Sequence, residues 1–212
     1  MGVIKRGILG GFSGSVANVV GSSWKGIAVM KSKPLSVANP RTAGQVAQRS
    51  KFASAVADAK LILPAIIKPL WDRFAQGQSG YNAWLSANMP AYDSAGDRIL
   101  DNVIMSEGTL LGANNVSFEV VDDSTQLNIT WDSNAGTGNA LADDKVYIYF
   151  INDTKGDISR YELSATRADE SVSLTSYSTN ATGDDYYLGI AFKRADGTLV
   201  SNAQYEVGVV GS

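Results

Sequence analysis

Leu127-Asn128-Ile129-Thr130-Trp131 and Lys145-Val146-Tyr147-Ile148-Tyr149-Phe150-Ile151 are the two stretches that decide how the chain folds. Leu127, Ile129 and Trp131 alternate with polar residues, and Val146, Ile148 and Phe150 alternate with aromatic ones. That period of two belongs to a half-buried β-strand, because successive side chains leave a strand on opposite faces. Working outward, the same reading gives strands at Val116 to Val121, Arg160 to Ala165, Val172 to Ser176, Tyr186 to Lys193 and Ala203 to Val210. Asp- and Gly-rich turns separate them, among them Asp122-Asp123, Asp153 to Asp157, Gly183-Asp184 and Ala195-Asp196-Gly197. Seven strands after residue 115, about 8–14 residues apart, predict two packed antiparallel sheets. An additional strand is expected at Ile99 to Met105, so the sandwich domain is assigned to residues 99–212.

Upstream the pattern turns helical, over residues 39–98. Asn39-Pro40-Arg41-Thr42 makes a turn, with Thr42 as N-cap and Gln45 three residues on, as in a capping box. Val46, Phe52, Ala53, Val56, Ala57 and Leu61 follow at helical spacing and are expected to face the core. Pro64 and Pro69 should kink the chain or start new helices. A last short helix, Tyr81 to Asn88, puts Tyr81, Trp84 and Leu85 on one side, and such a stripe reads most simply as core. Residues 1–38 read as a ribbon of short strands: Val3-Ile4, Ile8-Leu9, Val16 to Val20 and Ile27 to Met30. Gly10-Gly11, Ser13-Gly14 and Gly21-Ser22-Ser23 are the expected turns between them. Such a ribbon buries little surface alone, so it is expected to complete itself against the rest of the chain or a neighbour. Trp24 reads as a core tryptophan covering it. The fold class is therefore α+β, a ribbon and a helical segment followed by an all-β sandwich.

The composition removes whole classes of chemistry. The 212 residues contain no cysteine and no histidine. Disulfides, zinc thiolates, iron–sulfur clusters, thiol nucleophiles, serine–histidine triads and imidazole acid–base groups are all excluded. No run of about 18 apolar residues is present to span a bilayer. Lys5-Arg6 and the residues after it imitate a signal peptide, but glycine, serine and asparagine dilute the apolar region and no small-x-small cleavage site ends it. The net charge of −3 hides an asymmetry: residues 1–73 hold eleven basic and two acidic side chains, net +9, and the remainder is net −12. That polarity suits a basic segment facing nucleic acid, head-to-tail docking between subunits, or a merely solvated face.

The motifs for specific chemistry fail on inspection. Gly7-x-x-Gly10-Gly11-x-x-Gly14 lacks both the GxGxxG spacing and the Gly-Lys-Ser/Thr ending of a phosphate loop. Asp132-Ser133-Asn134 opens like a calcium loop, but Thr137 stands where glycine is needed and Asp143 where the loop closes on glutamate. The adjacent aspartate pairs point to opposite strand faces and read as solubilising turns rather than acid–base pairs. Ser23 and Lys25 have no accompanying oxyanion hole. No catalytic, metal or cofactor-binding residue is assigned, no cofactor is expected, and the protein is expected not to be an enzyme.

Two resemblances add to this reading. Trp131 late in its strand, with Tyr186 or Tyr187 opening another, is similar to the tryptophan and tyrosine corner of immunoglobulin- and fibronectin type III-like modules. Gly7-Ile8-Leu9-Gly10-Gly11-Phe12-Ser13-Gly14-Ser15-Val16, Val20-Gly21-Ser22-Ser23-Trp24-Lys25-Gly26 and Ser32-Lys33-Pro34 resemble the opening of a protein family common in Bacteroidota and their phages. Its members continue with Asn39-Pro40-Arg41-Thr42, Gln45, Arg49 and Phe52, a Ser-x-Gly-x-Leu element (Ser106, Gly108, Leu110) and Asp143-Asp144-Lys145-Val146. Ala28-Val29-Met30-Lys31 departs from relatives that often carry an aromatic and an arginine there. The resemblance implies a structural virion protein, a ring or collar component of the tail or portal-neck of a crAss-like phage, made in the host cytoplasm. Expected partners are copies of itself in a ring, other tail or portal-proximal virion proteins and packaged DNA, with no membrane. Assembly contacts are expected at Gly11, Phe12, Trp24, Lys25, Arg41 and Trp84. The competing readings are a surface adhesion or glycan-binding sandwich module and a nucleic-acid-binding protein using the basic N-terminal segment.

Overall fold

The computed structural model describes residues 3–4, 11–36, 39–73 and 75–211. It divides into two compact units, Met1–Thr42 and Ala43–Ser212. The first unit is an antiparallel sheet of β1 (Val3–Ile4), β2 (Phe12–Val16), β3 (Val19–Trp24) and β4 (Ile27–Ser32), in that spatial order. The register pairs Val16 with Val19 and Trp24 with Ile27, so both inner hairpins close over two residues. Lys25 and Gly26 both take positive φ, +48° and +83°, which is the type I′ geometry that matches strand twist. The expected strand Val16 to Val20 is corrected: Ala17, at φ +49°, breaks it into two. Ser13-Gly14 and Gly21-Ser22-Ser23 are strand rather than turn. The Ile8-Leu9 strand, and Gly7 to Gly10 of the glycine motif, lie outside the described residues.

The second unit begins with α1 (Ala43–Ile62), directly after Thr42. A π-helical turn, Leu63–Ile67, carries Pro64 in its first turn, and α2 (Lys68–Trp71) carries Pro69 in its own. The helical run is continuous from residue 43 to 71, with Ile62 and Ile67 both in right-handed helical conformation, and the prolines that break its N–H ladder fall where its π-helical and second α-helical stretches begin. α3 (Gly80–Asn88) is capped by Ser79, whose Oγ accepts from the Asn82 amide at 3.3 Å. The core face of α1 differs from the expected stripe. Ala55, Asp58, Ala59 and Ile62 are buried, whereas Val46, Phe52 and Leu61 are about half exposed. Small residues at i, i+3 and i+4 let the helix approach the sheet closely, and the larger apolar ones are left outside.

Seven strands follow: β5 (Asn114–Val120), β6 (Ser124–Asp132), β7 (Lys145–Asn152), β8 (Asp157–Thr166), β9 (Ser171–Asn180), β10 (Asp185–Lys193) and β11 (Gln204–Val209). They form a three-stranded sheet, β5-β6-β9, and a four-stranded sheet, β11-β10-β7-β8, every pairing antiparallel. β7 and β10 are buried on both faces. Val146, Ile148, Phe150, Leu188, Ile190 and Phe192 meet Leu127, Ile129 and Trp131 of the facing sheet. Tyr147, Tyr149, Ile151, Tyr187 and Ala191 meet Ile62, Ile66, Leu70 and Trp84 of the helices. The result is three layers, sheet on sheet on helices, around two hydrophobic cores. Residues 39–98 therefore form no domain apart from the sandwich: the helical segment is one layer of the 43–212 unit.

Ile99 to Met105 is not a strand. A 3₁₀ turn, Leu100–Asn102, begins it, and side chains satisfy the backbone beyond. Asn88 donates to the Ile104 carbonyl at 3.0 Å and accepts from the Ile104 amide at 2.8 Å, and Trp71 Nε1 donates to the Met105 carbonyl at 2.8 Å. The Ser-x-Gly-x-Leu element continues this join. Ser106 Oγ donates to the Ser201 carbonyl at 2.9 Å, the Leu110 side chain is buried, and a Cβ on Gly108 would overlap the Val200 carbonyl.

Candidate functional site

The exposed ribbon is the surface for which the rest of the fold supplies no explanation. Paired residues of adjacent antiparallel strands share a face. One face therefore carries Val20, Ser22, Trp24, Ile27, Val29 and Lys31, and the other carries Phe12, Val16, Val19, Gly21, Ala28 and Met30. Trp24 is 65% exposed, Ile27 61% and Met30 68%; among the described ribbon residues only Gly21 is buried. The reading of Trp24 as a core tryptophan is corrected. It stands beside the β3–β4 turn with Lys25 Nζ 5.1 Å from its ring centroid. A Cβ on Gly21 would overlap the Phe12 ring, so glycine there is what lets that ring lie across the sheet. Gly11 is similarly tight, since its Cβ would fall 2.6 Å from that of Ala28.

The six expected assembly residues thus divide. Gly11, Phe12, Trp24 and Lys25 come together in the ribbon, and Arg41 is exposed just before α1. Trp84 is corrected as a surface contact: it is 1% exposed and belongs to the helical core, as its stripe with Leu85 predicts. Charge sharpens the picture beyond the split drawn from sequence. Residues 1–42 contain six basic side chains and no carboxylate, and residues 43–212 contain twelve basic and twenty-one acidic ones. The unit boundary therefore separates +6 from −9.

The polar clusters of the second unit serve to join its parts. Arg98 forks onto Asp58 of α1, Nε to Oδ2 at 2.6 Å and Nη2 to Oδ1 at 2.7 Å, and reaches Asp153 of the β7–β8 turn at 2.8 Å. Tyr92 donates to Asp58 Oδ2 at 2.7 Å. Hydrogen bonding to Asp58 holds the Arg98 guanidinium protonated, while burial pushes the Tyr92 hydroxyl well above its ordinary value. At the opposite end of the sandwich Arg167, fully buried, donates to Asp144, Asn134 and the carbonyls of Leu111 and Gly112, and lies 4.1 Å over the Phe192 ring. Burial lowers its proton affinity, and the Asp144 carboxylate opposes that shift. Asn134, from the would-be calcium loop, is committed to Arg167 and Gly112.

The aspartate pairs differ from the solubilising turns expected of them, because Asp144 and Asp184 are each buried. Asp144 ties Arg167, and Asp184 accepts from the Ala181 amide, Asn152 and Lys155. Those donors, the Ala181 amide first, lower the Asp184 carboxyl to about 2. Sequence offers no signal for either role, because the partners lie 23 or more residues away except for the amide. Among the described residues no group of three or more acidic side chains is placed to hold a metal ion, and no helix is long and apolar enough to cross a membrane.

The tryptophan and tyrosine also differ from the corner that they resemble. Trp131 Nε1 donates to the Arg167 carbonyl at 2.9 Å, but Tyr186 donates to Glu206 on the neighbouring strand rather than to an upstream backbone group. Of the exposed tyrosines that a sugar-binding surface would offer, Tyr177 lies on β9 against Arg160, and Tyr205 on β11 stacks on Tyr187. Both are strand rather than loop residues.

The strand order and the two cores define an immunoglobulin- or fibronectin type III-like sandwich with a helical layer on its four-stranded sheet. The chain belongs to the Family of unknown function (DUF6266), whose pattern matches residues 11–208. Comparison with the curated proteins finds no match. Among solved structures, a computer-redesigned β-sandwich protein is 16% identical with a TM-score of 0.35, covering 49% of this chain and 98% of that one. The fn3 domain of human collagen alpha-1(XX) is 14% identical with a TM-score of 0.34, covering 48% and 85%. The fn3 domain of human contactin 1 is 11% identical with a TM-score of 0.31, covering 50% and 84%.

Proposed function

We propose that this is a non-enzymatic interaction module, in which a rigid three-layered body displays an N-terminal ribbon that docks onto another protein surface. The observation that carries this reading is a single-layer sheet with Trp24, Ile27 and Met30 more than half exposed and apolar residues on both faces. A sheet of this size is marginal without a covering layer. Trp24 and Ile27 share one face and Met30 lies on the other, so a partner that seats all three clasps both faces, each side chain contributing on the order of 2 kcal/mol. β4, at the edge of its sheet, also offers unpaired backbone groups for strand addition.

Such a module suits adhesion as well as structural assembly. The narrower reading, a ring or collar component of a phage tail or neck, is supported by the family resemblance and by the ribbon, and its test is recovery of the chain from purified particles. The docking itself is tested in the cells that make the protein. Wild type and a Trp24→Ser, Met30→Ser double variant are fractionated by native size. Wild type should run in a complex well above 22.4 kDa and the variant at its monomer mass. The variant's unfolding free energy should stay within about 0.5 kcal/mol of wild type, because both positions are exposed. Identical fractionation of the two would sink the reading.

A further inference from the structure

From the charge separation we infer that the ribbon's partner is a second copy of this chain, engaged head to tail, with the basic ribbon of one molecule seated on the acidic 43–212 unit of the next. This rests on the docking reading above and adds the identity of the partner. Ribbon-to-ribbon association would bring together two units of net charge +6 by sequence, with no carboxylate in either. Lys25, Lys31, Lys33 and Arg41 are all exposed, and Lys25 and Lys31 flank the apolar side chains that would be seated. Like charges at that range repel within the screening length of about 10 Å. The −9 unit of another copy removes the repulsion and attracts the same lysines.

The donor and acceptor surfaces are different, so each molecule gives one ribbon and receives one. Association of that kind is heterologous, and it closes as a ring or continues as a filament. The apolar residues set how firmly the ribbon is held, and the charge sets which surface it finds.

The absence of carboxylates from residues 1–42 makes the test direct. Equal amounts of unlabelled and ¹⁵N-labelled full-length chain are mixed in urea, refolded together so that subunits are scrambled, and treated with a carbodiimide, which joins lysines to carboxylates at contact distance. Any product at Lys25, Lys31 or Lys33 must then report contact with a 43–212 unit. Mixed-isotope peptides joining these lysines to Asp or Glu of that unit are expected at about 50 mM salt. They should fall about tenfold or more at about 500 mM salt, and disappear in the Trp24→Ser, Met30→Ser variant. Same-isotope products alone would mean that the ribbon meets its own body, and would overturn the inference. So would a salt-resistant oligomer without ribbon products, or a purified chain that light scattering shows to be monomeric. A monomer whose cellular complex still depends on Trp24 would overturn the second copy as partner while leaving the docking reading standing.

Discussion

Asp58 shows how one residue can join two layers. It lies on the buried face of α1 with its side chain 6% exposed, and it receives both arms of the Arg98 fork together with the Tyr92 hydroxyl. Arg98 reaches onward to Asp153 in the β7–β8 turn, so the network spans helix, connector and sandwich. A buried carboxylate is tolerated only when such donors replace its water. Replacing it by asparagine would leave the Arg98 charge short of its main partner. Asp58→Asn should lower the unfolding free energy by about 3 kcal/mol, at the lower end for a broken buried pair because Asp153 remains. Urea denaturation checks this, and a loss below about 1 kcal/mol would show that water takes the place of the lost charge. Nothing in the sequence marks Asp58 for this role. It looks like a polar interruption in a helix, and its partner lies 40 positions on.

At the scale of elements, what could be read and what could not follow from the range of the interaction that decides each one. β6 and β7 were legible because alternation is local, and the seven strands lie where that pattern puts them. The tyrosines of β7 were legible as alternate residues but not as core. Only the arrival of the helices turns Tyr147 and Tyr149 from an outer face into a second buried one. The same long-range packing selected Ala55, Ala59 and Ile62 over Phe52 on α1. In the ribbon, the apolar character of Trp24 suits a core residue, yet it cannot say whether the covering layer is in the same chain.

The segment 99–105 departs from its expected strand for a related reason. Its β-branched residues suit a strand, yet its hydrogen bonds go to Asn88 and Trp71, and residues 106–110, which continue it, join the β-bridge residues Val200 and Ser201. Gly108 is the tightest point of that join. A methyl group there must displace the Val200 carbonyl, so Gly108→Ala should cost about 1–3 kcal/mol, as overpacking does. Thermal unfolding of the full chain measures it. A melting temperature unchanged from wild type would mean that the connector shifts freely over the β10–β11 loop.

At the scale of the molecule, the two units differ in both charge and packing, and the four tryptophans are distributed so that each part can be followed separately. Trp24 reports the ribbon, Trp71 and Trp84 the helical layer, and Trp131 the inner sandwich core. The four-stranded sheet is shared: β7 and β10 give alternate side chains to the two cores, so neither core can be lost without stripping one face of the same strands. Helices and sandwich should therefore unfold as one cooperative step. Variants retaining Trp84 alone and Trp131 alone, with phenylalanine at the other three positions, should show coincident urea transitions. Far-ultraviolet ellipticity should follow both. A variant retaining Trp24 alone should show emission typical of water-exposed indole before that transition, and blue-shifted emission only under conditions where the ribbon is seated. If Trp84 loses its buried environment at a lower urea concentration than Trp131, the helices are an appended layer that the sandwich does not need, and the shared sheet does not couple the two cores.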